Sequence, residues 1–179
     1  DPKFKLTLAQ PLFAYIYDSA NINTDVIISR SLPVSGDVSD SALFAEHVIH
    51  DTEKNITAQW SVSLMNAEAV FSSVIGTLGE NVNAKLTITN NADSVSVSGS
   101  GSAGLACGRM EKNSSLTVIT SGSAYYNVSS SSGNAGGMIG TMADGSAFTL
   151  NNEFALTGEV TAAGYAGGLV GYSGKAAVF

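Results

Sequence analysis

Cysteine is nearly absent from this chain. Cys107 is the one thiol in 179 residues, so an internal disulfide and a cysteine-rich metal site are both excluded. The three prolines, Pro2, Pro11 and Pro33, all fall in the first fifth, and the remainder is free of the residue that deletes a ladder donor. Charge is scarce as well: 13% of residues are Asp, Glu, Lys or Arg, and the formal net charge is −7. Arg30 and Arg109 are the only arginines, and neither stands in a lysine cluster. A phosphate-backbone partner needs a basic stripe, so no nucleic-acid partner is expected. No apolar run approaches the roughly 18 residues of a membrane span. The chain has no initiator Met and no signal peptide, and reads as a processed or excised piece of a longer protein.

What the chain holds in quantity is glycine, 19 residues of it, together with Ser, Thr and Asn, while 44% of residues are hydrophobic. That mixture suits short strands joined by tight turns, with enough apolar material for one continuous core. The pattern also repeats. Pro11-Leu12-Phe13-Ala14, Ala42-Leu43-Phe44-Ala45, Ser73-Val74-Ile75-Gly76, Leu105-Ala106-Cys107-Gly108, Gly137-Met138-Ile139-Gly140 and Gly168-Leu169-Val170-Gly171 line up in six copies. The small closing residue falls at 14, 45, 76, 108, 140 and 171, a period of 31 or 32. A fixed period in this range marks a stacked repeat.

Two apolar columns precede the small residue: Leu12, Leu43, Val74, Ala106, Met138, Leu169, then Phe13, Phe44, Ile75, Cys107, Ile139, Val170. Neighbours in a strand point to opposite faces, so two adjacent apolar columns require a bend or a covered outer face. Two residues after the small position stand Ile16, His47, Leu78, Met110, Met142 and Ser173. A turn follows, with alternating charge at Glu80, Lys112 and Asp144, and with Asp18 and Lys175 in the flanking copies. Leu86-Thr87-Ile88, Leu116-Thr117-Val118 and Phe148-Thr149-Leu150 form a second side with threonine outward, preceded by weaker copies at Ile22-Asn23-Thr24 and Ile56-Thr57-Ala58. A third side ends in Val34, Met65, Val97, Val128 and Val160. Runs such as Ser98-Gly99-Ser100-Gly101 follow it and read as corners. Three sides in 31–32 residues describe one coil of an all-β, right-handed parallel β-helix of five to six coils. The whole of 1–179 is expected to be a single β-solenoid region, because stacked coils share one core. Gly76, Gly108, Gly140 and Gly171 are its structural glycines.

The later copies, Ala135-Gly136-Gly137-Met138-Ile139-Gly140 and Ala166-Gly167-Gly168-Leu169-Val170-Gly171, resemble the GLUG motif of bacterial surface proteins. The resemblance covers roughly 70–179; residues 10–69 are weaker copies, with Ala14 and Ala45 where the motif has glycine. It implies an extracellular or cell-surface bacterial protein, adhesin-like and built of many repeats. The motif also occurs in the non-catalytic part of streptococcal-type immunoglobulin A proteases. It carries no catalytic residue to transfer.

Candidate chemistry is sparse. Glu46, His47, His50 and Asp51 form one cluster, but the spacing of His47 and Asp51 would need a helix to make them ligands, and His47 stands in an apolar column. Cys107 lies in the Phe/Ile/Val column, where a free cysteine behaves as a small hydrophobe. Tyr125, Tyr126, Tyr165 and Tyr172 are candidate ligand-facing aromatics for sugars. No catalytic, cofactor or metal site is expected. The expected role is a non-catalytic structural or adhesive repeat region whose partner is a host or cell-surface protein or a glycan. The alternatives are a carbohydrate-binding or carbohydrate-active β-helix and a spacer in a secreted immunoglobulin A-type protease. Phe4, Leu6 and Leu8 read as the last strand of an earlier coil, and the chain stops eight residues after Gly171. Cut coil ends expose strand edges, so continuation beyond the C-terminus and end-to-end self-association are expected.

Overall fold

Alternation of apolar and hydroxyl side chains becomes strand after strand in the computed structural model, which describes residues 11–20, 22, 25–28, 42–54, 56–64, 70–91, 94–122, 125–152 and 157–179. Among these residues there are eighteen strands and no helix. Numbered in chain order, they form four sheets in which every pairing is parallel. The first sheet stacks β1 (Phe13–Tyr17), β3 (Ala45–Ile49), β6 (Ile75–Leu78), β10 (Cys107–Met110), β14 (Ile139–Met142) and β18 (Val170–Ser173). The second runs β2 (Asp25–Ile28), β4 (Ala58–Leu64), β7 (Asn83–Asn90), β11 (Ser115–Ser121) and β15 (Ala147–Asn152). The third joins β5 (Val70–Phe71), β8 (Ser94–Gly99), β12 (Tyr125–Ser130) and β16 (Thr157–Ala162), and the shortest joins β9 (Ala103–Gly104), β13 (Ala135–Gly136) and β17 (Ala166–Gly167). The chain is an all-β parallel solenoid of about four turns, rather than the five to six coils expected. Six rungs occur on the first sheet, and fewer on the other sides.

Adjacent apolar columns are explained by a bend. Leu105 and Ala106 lie between β9 and β10, and both are fully buried. The chain turns there, so consecutive side chains enter the same core. The Ser/Gly runs are corners, as the sequence suggests: Ser131 N–H donates to Gly99 O and Ser132 N–H to Ser100 O, each at 3.0 Å.

Register is where the structure departs from the sequence reading. The stacked column is Phe13, Ala45, Ile75, Cys107, Ile139 and Val170, with intervals of 32, 30, 32, 32 and 31. Ala45 therefore sits beneath Ile75, and Glu46 occupies the small-residue position in that rung. Shifting one residue exchanges the faces of a strand. Val48, not His47, fills the inward column of Ile16 and Leu78. On the second side Leu116 pairs with Ala84 and Val118 with Leu86, two residues away from the expected alignment; an even slip keeps threonine outward. On the third side Phe71 is the partner of Val97. Val34, Met65, Asn23, Thr24 and the Phe4-Leu6-Leu8 segment lie outside the described residues.

The core is filled by compensating columns. Along one row inside the second sheet run Ala58, Ala84, Leu116 and Phe148, and along the next run Trp60, Leu86, Val118 and Leu150. Each alanine stands beside a larger residue, Ala58 beside Trp60 and Ala84 beside Leu86, so the interior of those rungs stays filled. Phe44 bridges Phe13 and Trp60, with ring centroids at 5.5 and 5.7 Å. Ile75, Cys107 and Ile139 have no exposure at all.

One corner is left-handed in successive rungs. Asn81 (φ 60°), Asn113 (φ 55°), Gly145 (φ 71°) and Ala176 (φ 55°) follow the charged column in register. Asn and Gly tolerate this conformation, whereas alanine is strained there by its Cβ. Replacing Ala176 by Gly or Asn is expected to stabilise the fold by about 1 kcal/mol, read as a rise in urea midpoint. Ile139→Ala should cost about 2–5 kcal/mol in the same measurement.

Candidate functional site

The first sheet presents an outward column one residue past the small position: Tyr15, His47, Thr77, Arg109, Thr141 and Tyr172. The sequence reading passed over this column, although it recurs with the same period as its neighbours. Close stacking makes the face continuous. A Cβ added at Gly108 would lie 2.9 Å from Gly76 O, at Gly140 2.6 Å from Gly108 O, and at Gly171 2.6 Å from Gly140 O. A side chain in these rungs would push the strands apart. Glu46 is tolerated in the same column because it turns back along its own chain, where its Oε2 accepts Ala42 N–H at 3.0 Å.

Bulk along the column is uneven. Tyr15 and His47 stack at 5.0 Å, and Arg109 reaches outward with its Nε–H donating to Glu111 Oε1 at 2.6 Å. Tyr172 stacks on Tyr165 at 5.6 Å. Thr77 and Thr141 are short, so depressions form beside them. One, of about 470 Å³, is lined by Arg109, Asn134, Thr141, Asp144, Tyr165 and Tyr172, among others. A second lies around Thr77, Arg109, Ser102 and Glu46, and a third around Tyr15, His47, His50 and Thr77.

The tyrosines expected on one surface separate. Tyr165 and Tyr172 are exposed together on this face. Tyr125 is exposed on the third sheet, whereas Tyr126 is buried, because neighbours on one strand point opposite ways. Burial pushes the Tyr126 hydroxyl up to about 12, against a hydrogen bond with the Asn90 side chain.

The Glu46, His47, His50 and Asp51 cluster also comes apart. His47 lies half-buried on the outer face against Tyr15, not in the core. His50 meets Asp18, Nδ1 to Oδ2 at 2.7 Å, and Asp18 Oδ1 accepts Asp51 N–H at 2.8 Å. Asp18 is buried, so its carboxylate acts as a bracket closing the corner after β3. Asp51 caps its own turn through Glu53 N–H, and its carboxyl is held below the usual range by the Ser19 hydroxyl first and that N–H second. Glu80, Lys112 and Asp144 stack in register, but among the described residues no ion pair joins them. Asp144 instead accepts Lys175 N–H at 2.8 Å. Among the described residues no group of three or more His, Cys, Asp or Glu converges on one point.

Cys107 Sγ donates to Arg109 O at 3.1 Å from within the core. Burial pushes its thiol up to about 12. This setting opposes thiolate chemistry, which needs an exposed, electropositive site. In comparisons with family models, curated proteins and solved structures, none matches this chain.

Three outcomes follow from these burials. Native Cys107 should resist thiol reagents at pH 8 and react on unfolding. Its folded pKa lies above its ordinary value, so its contribution to stability is complete below about 9 and is lost as pH rises toward about 12. Tyr126 adds to the same alkaline fall from about 10 upward. Stability measured by urea titration should therefore drop across that window, and Tyr126→Phe should make the drop shallower. Asp18→Ala should destabilise the fold, since it removes the partner of the part-buried Asp51 N–H and of His50 Nδ1 at once, read as a fall in urea midpoint.

Proposed function

We propose that this chain is a non-catalytic adhesive repeat region of a bacterial surface or secreted protein, with the outer face of the first sheet as its contact surface. One observation carries the reading: Tyr15, His47, Arg109 and Tyr172 line up outward on a continuous parallel sheet. Aromatic and arginine side chains are the residues most enriched where proteins bind. Stacked rungs hold them in fixed order with little entropy left to lose on contact. The GLUG-like segments Ala135–Gly140 and Ala166–Gly171 support an extracellular, cell-surface setting by resemblance.

A carbohydrate-active β-helix is the second reading. The observation in its favour is the Asp18–His50 hydrogen bond, which orients an imidazole at the edge of the Tyr15 depression. Against it stands the double use of the Asp18 carboxylate, which also holds the Asp51 amide.

Beads coated with the protein should be retained on epithelial monolayers or mucin under flow. A variant carrying Tyr15→Ala, Arg109→Ala and Tyr172→Ala, with unchanged melting temperature, should lose most of that retention. Equal retention of the two bead types would overturn the assignment of the face. Release of sugars from neutral or anionic polysaccharides, abolished by His50→Ala, would establish the second reading instead.

A further inference from the structure

We infer that the depression over Thr141 is a subsite for an uncharged, linear glycan, a ligand class that rests on the contact-face reading above. Shape supplies the first argument. Thr141 is the short member between Arg109 and Tyr172, so the floor drops between two long, planar side chains two rungs apart, about 9–10 Å. The space measures about 470 Å³ and is a shallow depression open to solvent.

The wall is aromatic and held in place. Tyr165 and Tyr172 stack at 5.6 Å and an interplanar angle of 29°, yet they are 64% and 45% exposed. Tyr165 is positioned through its backbone: its N–H donates to Asn134 Oδ1 at 2.9 Å. The same Asn134 donates through Nδ2 to Thr141 Oγ1 at 3.0 Å, and Thr141 Oγ1 shares a second hydrogen bond with Ser102 Oγ at 2.8 Å. Apolar ring faces beside a floor of hydroxyl and amide groups suit a pyranose, which offers C–H faces and an equatorial rim of hydroxyls. Tyrosine supplies this contact at low entropy cost, with few rotors to fix.

Charge selects the class. Arg109, Lys112 and Asp144 line the depression, and Glu111, outside the lining, pairs with Arg109 at 2.6 Å, so the four formal charges together cancel. The site therefore gives no net attraction to a uronic acid or sulfated chain. Direction follows from the sheet: rungs repeat about every 4.8 Å, close to the advance of one sugar in an extended chain. The next units would pass Arg109 toward the depression at Thr77.

Isothermal titration of the full 179-residue chain with hexamers of the cello-, xylo-, manno- and chito- series tests this, with polygalacturonate as the anionic comparison. At least one neutral series should bind. Tyr165→Ala and Tyr172→Ala should each weaken it about tenfold or more at unchanged melting temperature, while Tyr172→Phe stays near wild type. Tyr125→Ala, an exposed tyrosine on the third sheet, should leave it unaltered. No binding in any neutral series, binding that survives both alanine variants, or tighter binding of polygalacturonate would each overturn the assignment. If bead retention on cells persists while all glycans fail, the ligand class falls and the adhesive reading stands. If a neutral glycan binds and is cleaved, the ligand class stands and the non-catalytic reading falls.

Discussion

Parallel stacking at one rung spacing is the constraint on which everything else in this molecule depends. Each strand of a coil can satisfy its backbone donors and acceptors only through the strands above and below it, so every residue is placed against its counterpart one coil away. Side chains then share an environment column by column. Glycine recurs at 76, 108, 140 and 171 because a Cβ there would meet the next carbonyl. Ile75, Cys107 and Ile139 recur as core because one sheet carries them inward at every rung.

The same constraint builds the outer face. A column that the core does not need is free to vary, and here it alternates between bulky planar groups and threonine. The result is a row of shallow sites on a rigid support rather than one deep cleft. Rigidity comes from hydrogen bonds that tie loops to the ladder, such as Asn134 to Tyr165 and Asp18 to Asp51. These brackets recur at corners, where the chain leaves one sheet for the next and its backbone groups would otherwise go unpaired.

Charge plays a smaller part than the sequence pattern suggests. The column Glu80, Lys112, Asp144 alternates in sign and is in register, yet it closes through backbone contacts rather than ion pairs. Exposed pairs are worth little and long side chains lose entropy in forming them. Where an acid is buried, as at Asp18, it is answered by an imidazole and an amide together.

Periodicity, the inward face of the later strands and the burial of Cys107 were legible in the sequence, because every coil repeats the same environment and similar residues return at a fixed interval. The sheet order followed from that period as well. What the sequence could not settle was register in the early copies. Ala42-Leu43-Phe44-Ala45 resembles the later copies, but Ala45 pairs with Phe13 and Ile75, so the interval from Phe13 is 32 and that to Ile75 is 30. That single step moved Glu46 into the glycine column and turned His47 from the core to the surface. The partnership of Tyr165 with Tyr172, and of Asp18 with His50, was likewise decided by tertiary structure. Those residues meet across a corner or across rungs, and no local propensity records which side chains a turn will bring together.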